Sequence, residues 1–230
     1  METHGCVALL PMKAHSGRVP GKNFRPFAGR PLFRWILDTL LGLGEIEAVI
    51  INTDAREILA AHGLTGSERV TIRDRPAGLR GDAVSMNRVL ADDVAQVASR
   101  CYVMTHTTNP LLGAATIRRA IAAYRAGVAA GRGDSLFSVN RLQSRIYRED
   151  GSPVNHDPAR LIPTQDLEPC FEENSNLYVF SRESFARTGA RIGARPLLFE
   201  TPRLESADID DEEGWLIAET LARTRPGAPP

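Results

Sequence analysis

The sequence predicts an α/β protein with a mainly parallel β-sheet that is covered by helices on both faces. Two observations lead to this expectation. Short apolar runs alternate along the chain with segments of helical periodicity, which is the pattern of βαβ units. Polar loops follow several of these runs, and in parallel sheets ligands bind beyond the carboxyl ends of the strands. With 230 residues, the chain is long enough for one sizeable domain.

The first half of the chain alternates between predicted strands and helices. The apolar run CVALLP at 6–11 predicts a buried strand, and the spacing of large apolar residues over 31–44 predicts a helix. A continuous β-branched run at 48–53 predicts a second buried strand, after which Asp54 is expected to cap a helix over 55–62. The next expected elements are a strand at 69–73, a helix at 83–99, a strand at 101–106 and a helix at 114–126.

The alternation breaks in the second half of the chain. Residues 140–172 are polar, rich in proline and arginine and without clear periodicity, so we expect an extension with hairpins that packs on a partner subunit. We therefore predict a single domain over 1–224, with 140–172 as a dimerisation or acceptor-binding extension and a disordered tail at 225–230. The remaining expected elements are strands at 135–139, 176–181 and 196–201 and a closing helix at 211–224.

Composition excludes several classes of protein. Lysine plus arginine equals aspartate plus glutamate at 28 each, which argues against a partner bound through an overall basic surface, such as a nucleic acid. No apolar stretch approaches the roughly 20 residues of a membrane span, and no signal peptide is recognisable, so we expect a cytoplasmic protein without a membrane partner. The widely spaced Cys6, Cys101 and Cys170 form no metal motif, and we expect buried thiols rather than disulfides.

The loop after the first strand is the strongest candidate for a ligand site. The stretch LLPMKAHSGRVPGKN, residues 9–23, carries the cations Lys13, Arg18 and Lys22 with two glycines and a proline between them, a composition that suits phosphate groups. It is not a Walker A loop, because its two glycines have three residues between them rather than four and Asn23 stands where Ser or Thr is required. A solvated basic turn is the alternative interpretation.

A pair of carboxylates near the end of the chain is a candidate metal site. In the stretch ADID, Asp208 and Asp210 are two residues apart, so they point the same way on an extended segment. Two carboxylates beside phosphate groups suit Mg²⁺, a cation that prefers oxygen ligands. The alternative is that Asp210 or Asp211 only caps the helix that follows.

The 9–23 loop resembles the nucleotide-binding loop of cytidylyltransferases that activate nine- and eight-carbon sugar acids, the acylneuraminate (CMP-sialic acid) and CMP-Kdo synthetases. It combines their patterns IPARGGSKGIPRKN and PARxxSxRxPGK, with a lysine where both have arginine. The resemblance extends over roughly residues 7–221 and implies a Rossmann-like nucleotidyltransferase fold and a homodimer. Further similar segments follow in the family's order: RPAGLRGDAVSM, THTTNPLL, DSLFSV, EENSNLYVFSRE and ESADIDDEEGW.

The resemblance implies a reaction in which CTP and a small acid with a free hydroxyl give a CMP conjugate and pyrophosphate. Such chemistry is an in-line displacement that depends on positioning and charge stabilisation. It implies a catalytic role for Lys22, Arg18 and Asp210, and Mg²⁺ held by Asp208 and Asp210. The implied nucleotide contacts are Lys13, Ser16, Arg18, Lys22, Asn23, Arg75, Asp82 and Ser85, and the implied acceptor contacts are His106, Gln165, Glu172 and Asn174.

The acceptor segment departs from the family pattern. Neuraminate synthetases commonly place arginines here to bind the sugar carboxylate, whereas this chain has Thr164 and Glu172. Losing two cations and gaining an anion argues against N-acetylneuraminate as the acceptor. A related nonulosonate, an amino-bearing sugar acid that meets Glu172 or Glu173, and a non-sugar acid such as a phosphonate stay open. The missing charge is expected from Arg141, Arg145, Arg148 and Arg160.

Two other functions stay open at this point. A nucleotide-sugar-dependent glycosyltransferase also uses paired aspartates with a metal, and the altered acceptor residues allow a catalytically dead nucleotide-binding subunit. The position of the basic loop directly after the first strand favours a nucleotidyltransferase. The intact Lys22–Asn23 dipeptide and the Asp208/Asp210 pair favour an active enzyme.

Overall fold

The structure is a computed structural model, and it describes residues 5–224 of the chain. Its strands and helices alternate over most of this range, as the sequence predicts. In chain order, the strands are β1 (Cys6–Leu9), β2 (Pro26–Phe27), β3 (Arg30–Pro31), β4 (Ile46–Thr53), β5 (Val70–Asp74), β6 (Tyr102–Thr105), β7 (Ser135–Leu142), β8 (Cys170–Phe180) and β9 (Pro196–Glu200). The helices are α1 (Leu32–Leu41), α2 (Arg56–Ala61), α3 (Met86–Gln96), α4 (Ala114–Ala129), α5 (Arg182–Thr188) and α6 (Glu212–Thr224).

Seven of these strands form one mixed sheet in the order β5-β4-β1-β6-β8-β7-β9. Strands β5, β4, β1 and β6 run parallel to one another, and β7 runs parallel to β9. Strand β8 lies antiparallel to both β6 and β7. The predicted α/β class with a mostly parallel sheet is therefore confirmed, and β2 with β3 forms a separate small hairpin.

The two faces of the sheet carry separate apolar cores. Along β1, Cys6 and Ala8 belong to one core and Val7 and Leu9 to the other, because successive side chains of a strand point to opposite faces. Helices α1, α2 and α4 cover the first face, and α3 and α5 cover the second. A third cluster joins α6 to the loop after β1, and it contains Val19, Phe27, Leu32, Leu111, Ile209 and Trp215.

Several elements differ from the sequence-based expectation. Helix α5 was not expected; Ser181 caps it by accepting a hydrogen bond from the backbone N–H of Ser184. Strand β8 begins six residues earlier than predicted, because its polar first half pairs with the end of β7. Asp54 does not cap α2: its carboxylate accepts a hydrogen bond from the backbone N–H of Ala14 instead, at 2.7 Å.

The predicted extension is shorter than expected, because β7 and β8 include its ends. Between these strands, residues 143–169 hold one 3₁₀ turn at Thr164–Asp166 and two isolated bridges, Tyr147 with Pro153 and Asp157 with Arg160. These bridges are consistent with the expected tight turns. Packing of the extension on a partner subunit stays a prediction, and the predicted tail at 225–230 lies outside the described residues.

The expectation of unpaired buried cysteines was wrong for two of them. The structure joins Cys6 and Cys101 in a disulfide, with their Cα atoms 4.7 Å apart. Val7 is paired with Tyr102 on the neighbouring parallel strand, so the residue before each is adjacent as well. A separation of 95 residues hides this proximity in the sequence. Among the described residues, no helix is both long and apolar enough to cross a membrane.

A buried polar network connects α3 to the centre of the sheet. The carboxylate of Asp93 forms an ion pair with Arg73 and accepts a hydrogen bond from the Asn52 amide at 2.9 Å. The amide oxygen of Asn52 in turn accepts a hydrogen bond from Nε of Arg75 at 2.9 Å. Burial raises the pKa of Asp93 to about 6 and outweighs the attraction of Arg73.

Replacing Asp93 should change how stability depends on pH. Since the folded pKa of about 6 lies above the ordinary value of 3.8, the carboxyl favours folding below pH 4, and this contribution is lost as pH rises through 6. Relative to Asp93→Asn, the unfolding free energy of the unmodified chain should therefore fall by up to about 3 kcal/mol across this window. Urea denaturation of both proteins at a series of pH values measures this difference in unfolding free energy. Parallel curves for the two proteins would contradict the assignment.

Candidate active site

A cavity of about 470 Å³ opens at the carboxyl end of β1. Three segments form its wall: the loop after β1, the turn after β5 and the turn after β6. These segments meet because β5, β4, β1 and β6 are parallel and end at the same edge of the sheet. Of the residues that the sequence singles out, the cavity is lined by Lys13, Ser16, Arg18, Lys22, Asn23, Arg75, Asp82 and His106.

Buried side chains anchor the loop after β1, and Val19 is the most completely buried of those between Lys13 and Arg25. Val19 is fully buried in the third apolar cluster, next to Ile209 and Trp215. Beyond it, the chain turns sharply at Gly21, whose φ of +63° is a left-handed conformation that favours glycine. Backbone hydrogen bonds from Lys22 to Val19 and from Phe24 to Gly21 close this turn. The loop is therefore held in one shape, with its cations directed along the cavity.

Lys22 is buried against the segment that carries the two aspartates. Its ammonium donates a hydrogen bond to the backbone carbonyl of Ile209 at 2.6 Å. Burial lowers the pKa of Lys22, while the charges of Asp208 and Asp210 oppose this shift. Nη2 of Arg18 lies 2.8 Å from Oδ1 of Asp210 in a solvent-exposed ion pair. The structure thus brings together the two cations and the two carboxylates that the sequence predicts.

The two aspartates differ in environment. Burial raises the pKa of Asp208 and the adjacent charge of Asp210 acts in the same direction, whereas a hydrogen bond from Thr108 opposes it. Asp210 has about half of its side chain exposed. The alternative role of helix capping falls to Asp211, whose carboxylate accepts a hydrogen bond from the N–H of Gly214 at 2.8 Å. Asp208 and Asp210 do not themselves line the cavity, but they lie close to Lys22 and Arg18, which do.

The carboxylate pair fits a magnesium ion that shares its ligands with a substrate. Within residues 5–224, no group of three or more His, Cys, Asp or Glu side chains is placed to hold a metal ion. Mg²⁺ typically binds one or two carboxylates and completes its octahedron with water and phosphate oxygens. Asp208 and Asp210 would fit the protein's share of such a set, because the repulsion between their two charges, which helps to raise the pKa of Asp208, would be relieved by a cation.

The mouth of the cavity carries an ion pair between two residues that the sequence assigns to the nucleotide. Lys13 and Asp82 are in direct contact, and both side chains are partly exposed. A hydrogen bond from the Lys13 ammonium lowers the pKa of Asp82, and the positive charge of Lys13 acts in the same direction. Ser16 lines the cavity nearby, whereas Ser85 does not and directly precedes α3. A ligand with phosphate groups would compete with Asp82 for Lys13.

Two further predicted nucleotide residues use their polar atoms within the protein. Arg75 is almost fully buried and donates hydrogen bonds to the side chain and backbone of Asn52 and to the carbonyl of Met12. Asn23 donates to the carbonyl of Lys13 at 2.8 Å and accepts from the hydroxyl of Thr107 at 2.6 Å. Both residues thereby fix the cavity wall, and their direct contact with a nucleotide stays a prediction.

The predicted acceptor residues are not brought together. His106 lines the cavity, and burial lowers its pKa to about 3, assisted by the charges of Arg191 and Lys22, so its ring is neutral at pH 7. The other three lie outside the cavity lining. Gln165 is exposed in the 3₁₀ turn of the extension, Glu172 is exposed and accepts a hydrogen bond from Asn140, and Asn174 is buried and bonds to Ser138, Thr201 and Ser206.

Sequence reasoning missed the residues next to His106. Nη1 of Arg191 lies 3.5 Å from Nε2 of His106, and its guanidinium stacks 3.9 Å from the ring centroid of Tyr178. Glu173 lies beside both, hydrogen-bonded by the Tyr178 hydroxyl. Arg191 follows α5 in the stretch GARIGAR, where no motif identifies it. Only the fold, which brings the loop between α5 and β9 to the end of β6, shows its position.

Comparison with known proteins gives a consistent result. A family model described as Cytidylyltransferase matches residues 7–197, which is most of the chain. The CMP-N,N'-diacetyllegionaminic acid synthase of Legionella pneumophila subsp. pneumophila is 25% identical over 230 residues, which covers 94% of this chain and 95% of that protein. The N-acylneuraminate cytidylyltransferase of Oncorhynchus mykiss is also 25% identical, over 95% of this chain, but the match spans only 50% of that longer protein.

A solved structure agrees at the level of the fold. The structure of a CMP:2-keto-3-deoxy-manno-octonic acid synthetase complexed with CTP matches with a TM-score of 0.66 and 13% sequence identity. The match covers 95% of this chain and 98% of the other. At this identity the likeness concerns the nucleotidyltransferase-like architecture, and the details of the site rest on the residues themselves.

Truncating Ile209 should loosen the loop that carries the cations. Ile209 is fully buried against Val19 and Trp215, so Ile209→Ala should lower the free energy of unfolding by about 2–5 kcal/mol. Amide hydrogen exchange over residues 16–25 should accelerate at the same time. The matched control is Ile217→Ala on α6, where half of the side chain is exposed and little change is expected. Equal effects of both substitutions would contradict this packing role.

Proposed function

The chain is a member of the cytidylyltransferase family, and from this premise we propose that it transfers CMP from CTP to the hydroxyl of a nine-carbon sugar acid, with release of pyrophosphate. The observation that carries the proposal is the cluster of Lys22, Arg18, Asp208 and Asp210 at the cavity's edge. The acceptor class is supported by the relatives, whose names refer to legionaminic and neuraminic acids. We place the reaction in the cytoplasm, where CTP is synthesised.

In this proposal the loop after β1 binds the triphosphate of CTP. Lys13, Arg18 and Lys22 are the cations that line the cavity on that side, together with the hydroxyl of Ser16. The half-buried ammonium of Lys22 acts in a low-dielectric setting, where its attraction to phosphate oxygens is stronger than in water. Lys22 and Arg18 would stabilise the negative charge that develops on the departing pyrophosphate.

We assign Asp208 and Asp210 as the residues that would hold Mg²⁺. When bound, the ion would supply Lewis-acid polarisation of the phosphate at which the displacement occurs. The remaining work falls to the chain's own groups. Arg75 and Asn23 keep the cavity wall rigid so that CTP is held in one orientation, and such positioning accounts for much of the rate of displacement reactions.

We also propose that the enzyme acts as a homodimer that forms through the 143–169 extension. Large apolar side chains are normally buried, yet several are exposed together on this segment and on the adjoining strand β8. Clustered exposure of this kind marks surfaces that associate. The exposed apolar side chains of this region are Tyr147, Val154, Leu161, Ile162 and Phe171.

The catalytic assignment is tested by removing charge without removing volume. Lys22→Met and Asp210→Asn should each lower the kcat/KM of CTP-dependent pyrophosphate release at least 100-fold, because Lys22→Met removes a cation assigned to the triphosphate and Asp210→Asn removes the charge of an assigned metal ligand. Arg118→Met is the control, since it removes an exposed cation that pairs with Glu45 at the opposite end of β4. The substrates are CTP and UTP, each with a panel of sugar acids and phosphonates. Unchanged release in both variants would refute the site assignment.

Lysine chemistry offers a test that does not depend on turnover. Lys13 and Lys22 are the only two lysines of the chain, and both line the cavity. CTP with Mg²⁺ should therefore slow the acetylation of both lysines by an amine-reactive reagent, as followed by peptide mass spectrometry. Inorganic phosphate at equal concentration is the control for a non-specific anion effect. Equal labelling with and without CTP would show that the nucleotide binds elsewhere.

The dimer is tested by placing a charge on the extension. Leu161 has 69% of its surface exposed, so Leu161→Asp should leave the fold intact and convert a dimer to a monomer. Leu216→Asp on α6 is the matched control, because Leu216 is exposed to a similar extent, 66%, outside the extension. Size-exclusion chromatography with light scattering measures the mass. A monomeric unmodified protein, or dissociation by the control alone, would overturn the proposal.

A further inference from the structure

We propose that Arg191 binds the carboxylate of the acceptor and thereby selects for acids. This inference rests on the proposed function and adds to it the residue that recognises the second substrate. Arg191 lies in the loop between α5 and β9, far along the chain from the segment where the sequence predicts the acceptor contacts. It supplies a cation to a part of the site for which the sequence predicts no arginine among the acceptor contacts His106, Gln165, Glu172 and Asn174.

The position of Arg191 relative to the cavity is the first argument. Its Nη1 lies 3.5 Å from Nε2 of His106, and His106 lines the cavity at the carboxyl end of β6. The charges of Arg191 and Lys22 both contribute to the lowered pKa of His106, so both cations lie near the histidine. An acceptor that extends from Arg191 past His106 therefore reaches the cations assigned to the triphosphate. This is the path along which the acceptor hydroxyl has to approach the nucleotide.

The state of the guanidinium is the second argument. Arg191 has only 18% of its side chain exposed, yet its one acidic partner, Glu173, lies 3.6 Å away, longer than a hydrogen bond. Its other contacts at that end are the face of Tyr178 and the sulfur of Met104, 3.9 Å from Nη1. A largely buried guanidinium without a close carboxylate retains donors for a bidentate pair with an incoming acid.

Of the four arginines expected from the sequence to supply the missing charge, Arg160 lies in the extension, outside the cavity lining, and the other three are engaged within the extension. Arg141 bonds to Gln143, Arg145 donates to the carbonyl of Ile162 at 2.7 Å, and Arg148 donates to the carbonyl of Pro153. These three side chains hold the extension together. Arg191 differs from these arginines because the fold brings it next to His106, a cavity-lining residue on the acceptor side. In this proposal Arg191, rather than an arginine of the extension, supplies the positive charge that the acceptor segment lacks.

Removing the charge of Glu173 should have the opposite effect on acceptor binding to removing the charge of Arg191. Its carboxylate is shared between Arg191 and the hydroxyl of Tyr178, so it attracts the same guanidinium that the acceptor needs. Binding an acid at Arg191 exchanges the distant Glu173 for a closer carboxylate. Glu173→Gln keeps the hydrogen-bonding shape and removes this competition. The variant should therefore lower the KM for the acceptor, in contrast to loss of Arg191.

The experiment compares an acid with its own methyl ester. The probes are N-acetylneuraminate, N,N'-diacetyllegionaminate and pseudaminate; the best acceptor among them is assayed with CTP, as the free acid and as the methyl ester. In Arg191→Met the KM for the acid should rise roughly 10- to 100-fold while the KM for CTP stays unchanged, because one charge-assisted pair is lost. The preference for acid over ester should largely disappear. Arg191→Lys should retain part of it, since lysine keeps the charge without the fork.

A neighbouring arginine supplies the matched control. Arg195 lies in the same loop but donates to the carbonyl of Gly131, so Arg195→Met should leave both KM values unchanged. If Arg191→Met raised the KM for acid and ester equally, Arg191 would have only a packing role on Tyr178, and the proposal would be wrong. An unchanged KM for the acid in an active enzyme would overturn this proposal alone. Absence of transfer to every acid by the unmodified enzyme would overturn the proposed function and this proposal with it.

Discussion

The buried contact between the Lys22 ammonium and the carbonyl of Ile209 is the interaction on which the rest of the site depends. It joins the loop after β1 to a segment almost 190 residues later in the chain. Val19 and Ile209 pack together beneath it, so the apolar cluster and the hydrogen bond support each other. Without this contact, the cations of the loop after β1 and the carboxylates of Asp208 and Asp210 would lie on two separate surface segments. They could not then form the common site that we propose for the triphosphate and its metal ion.

The sheet explains why the two halves of the site differ in rigidity. The proposed nucleotide half lies over four parallel strands, and its walls are fixed by Arg75 and Asn23, whose side chains form hydrogen bonds within the protein. The acceptor half lies where β8 runs antiparallel to β6 and is bordered by a loop. Its charged groups, Arg191 and Glu173, are held at longer distances. The proposed nucleotide half therefore suits a ligand that is the same in every reaction. The proposed acceptor half contains a longer contact, between Arg191 and Glu173, which an incoming acid could replace.

Sequence reasoning predicted the parts that depend on local patterns. Apolar periodicity gave the strands and most helices, and the loop and carboxylate pair around Lys22 and Asp208 were found through composition and spacing. It failed where distant segments meet. The pairing of Cys6 with Cys101 follows from strand register, and the approach of Arg191 to His106 follows from the order of strands. Helix α5 is only seven residues long, too short for a clear periodic signal.

The ion pairs at the cavity mouth mean that the protein carries internal substitutes for its substrate's charge. In the structure, Asp82 forms an ion pair with Lys13, and Asp210 forms an ion pair with Arg18. Nucleotide binding is then an exchange of counter-ions within the protein rather than the neutralisation of bare cations. The released carboxylates become available at the moment when the triphosphate arrives, one of them beside Asp208. Under the proposed function, the step that binds the anion would therefore also free a carboxylate for the cation beside it, and nucleotide and metal binding would be coupled.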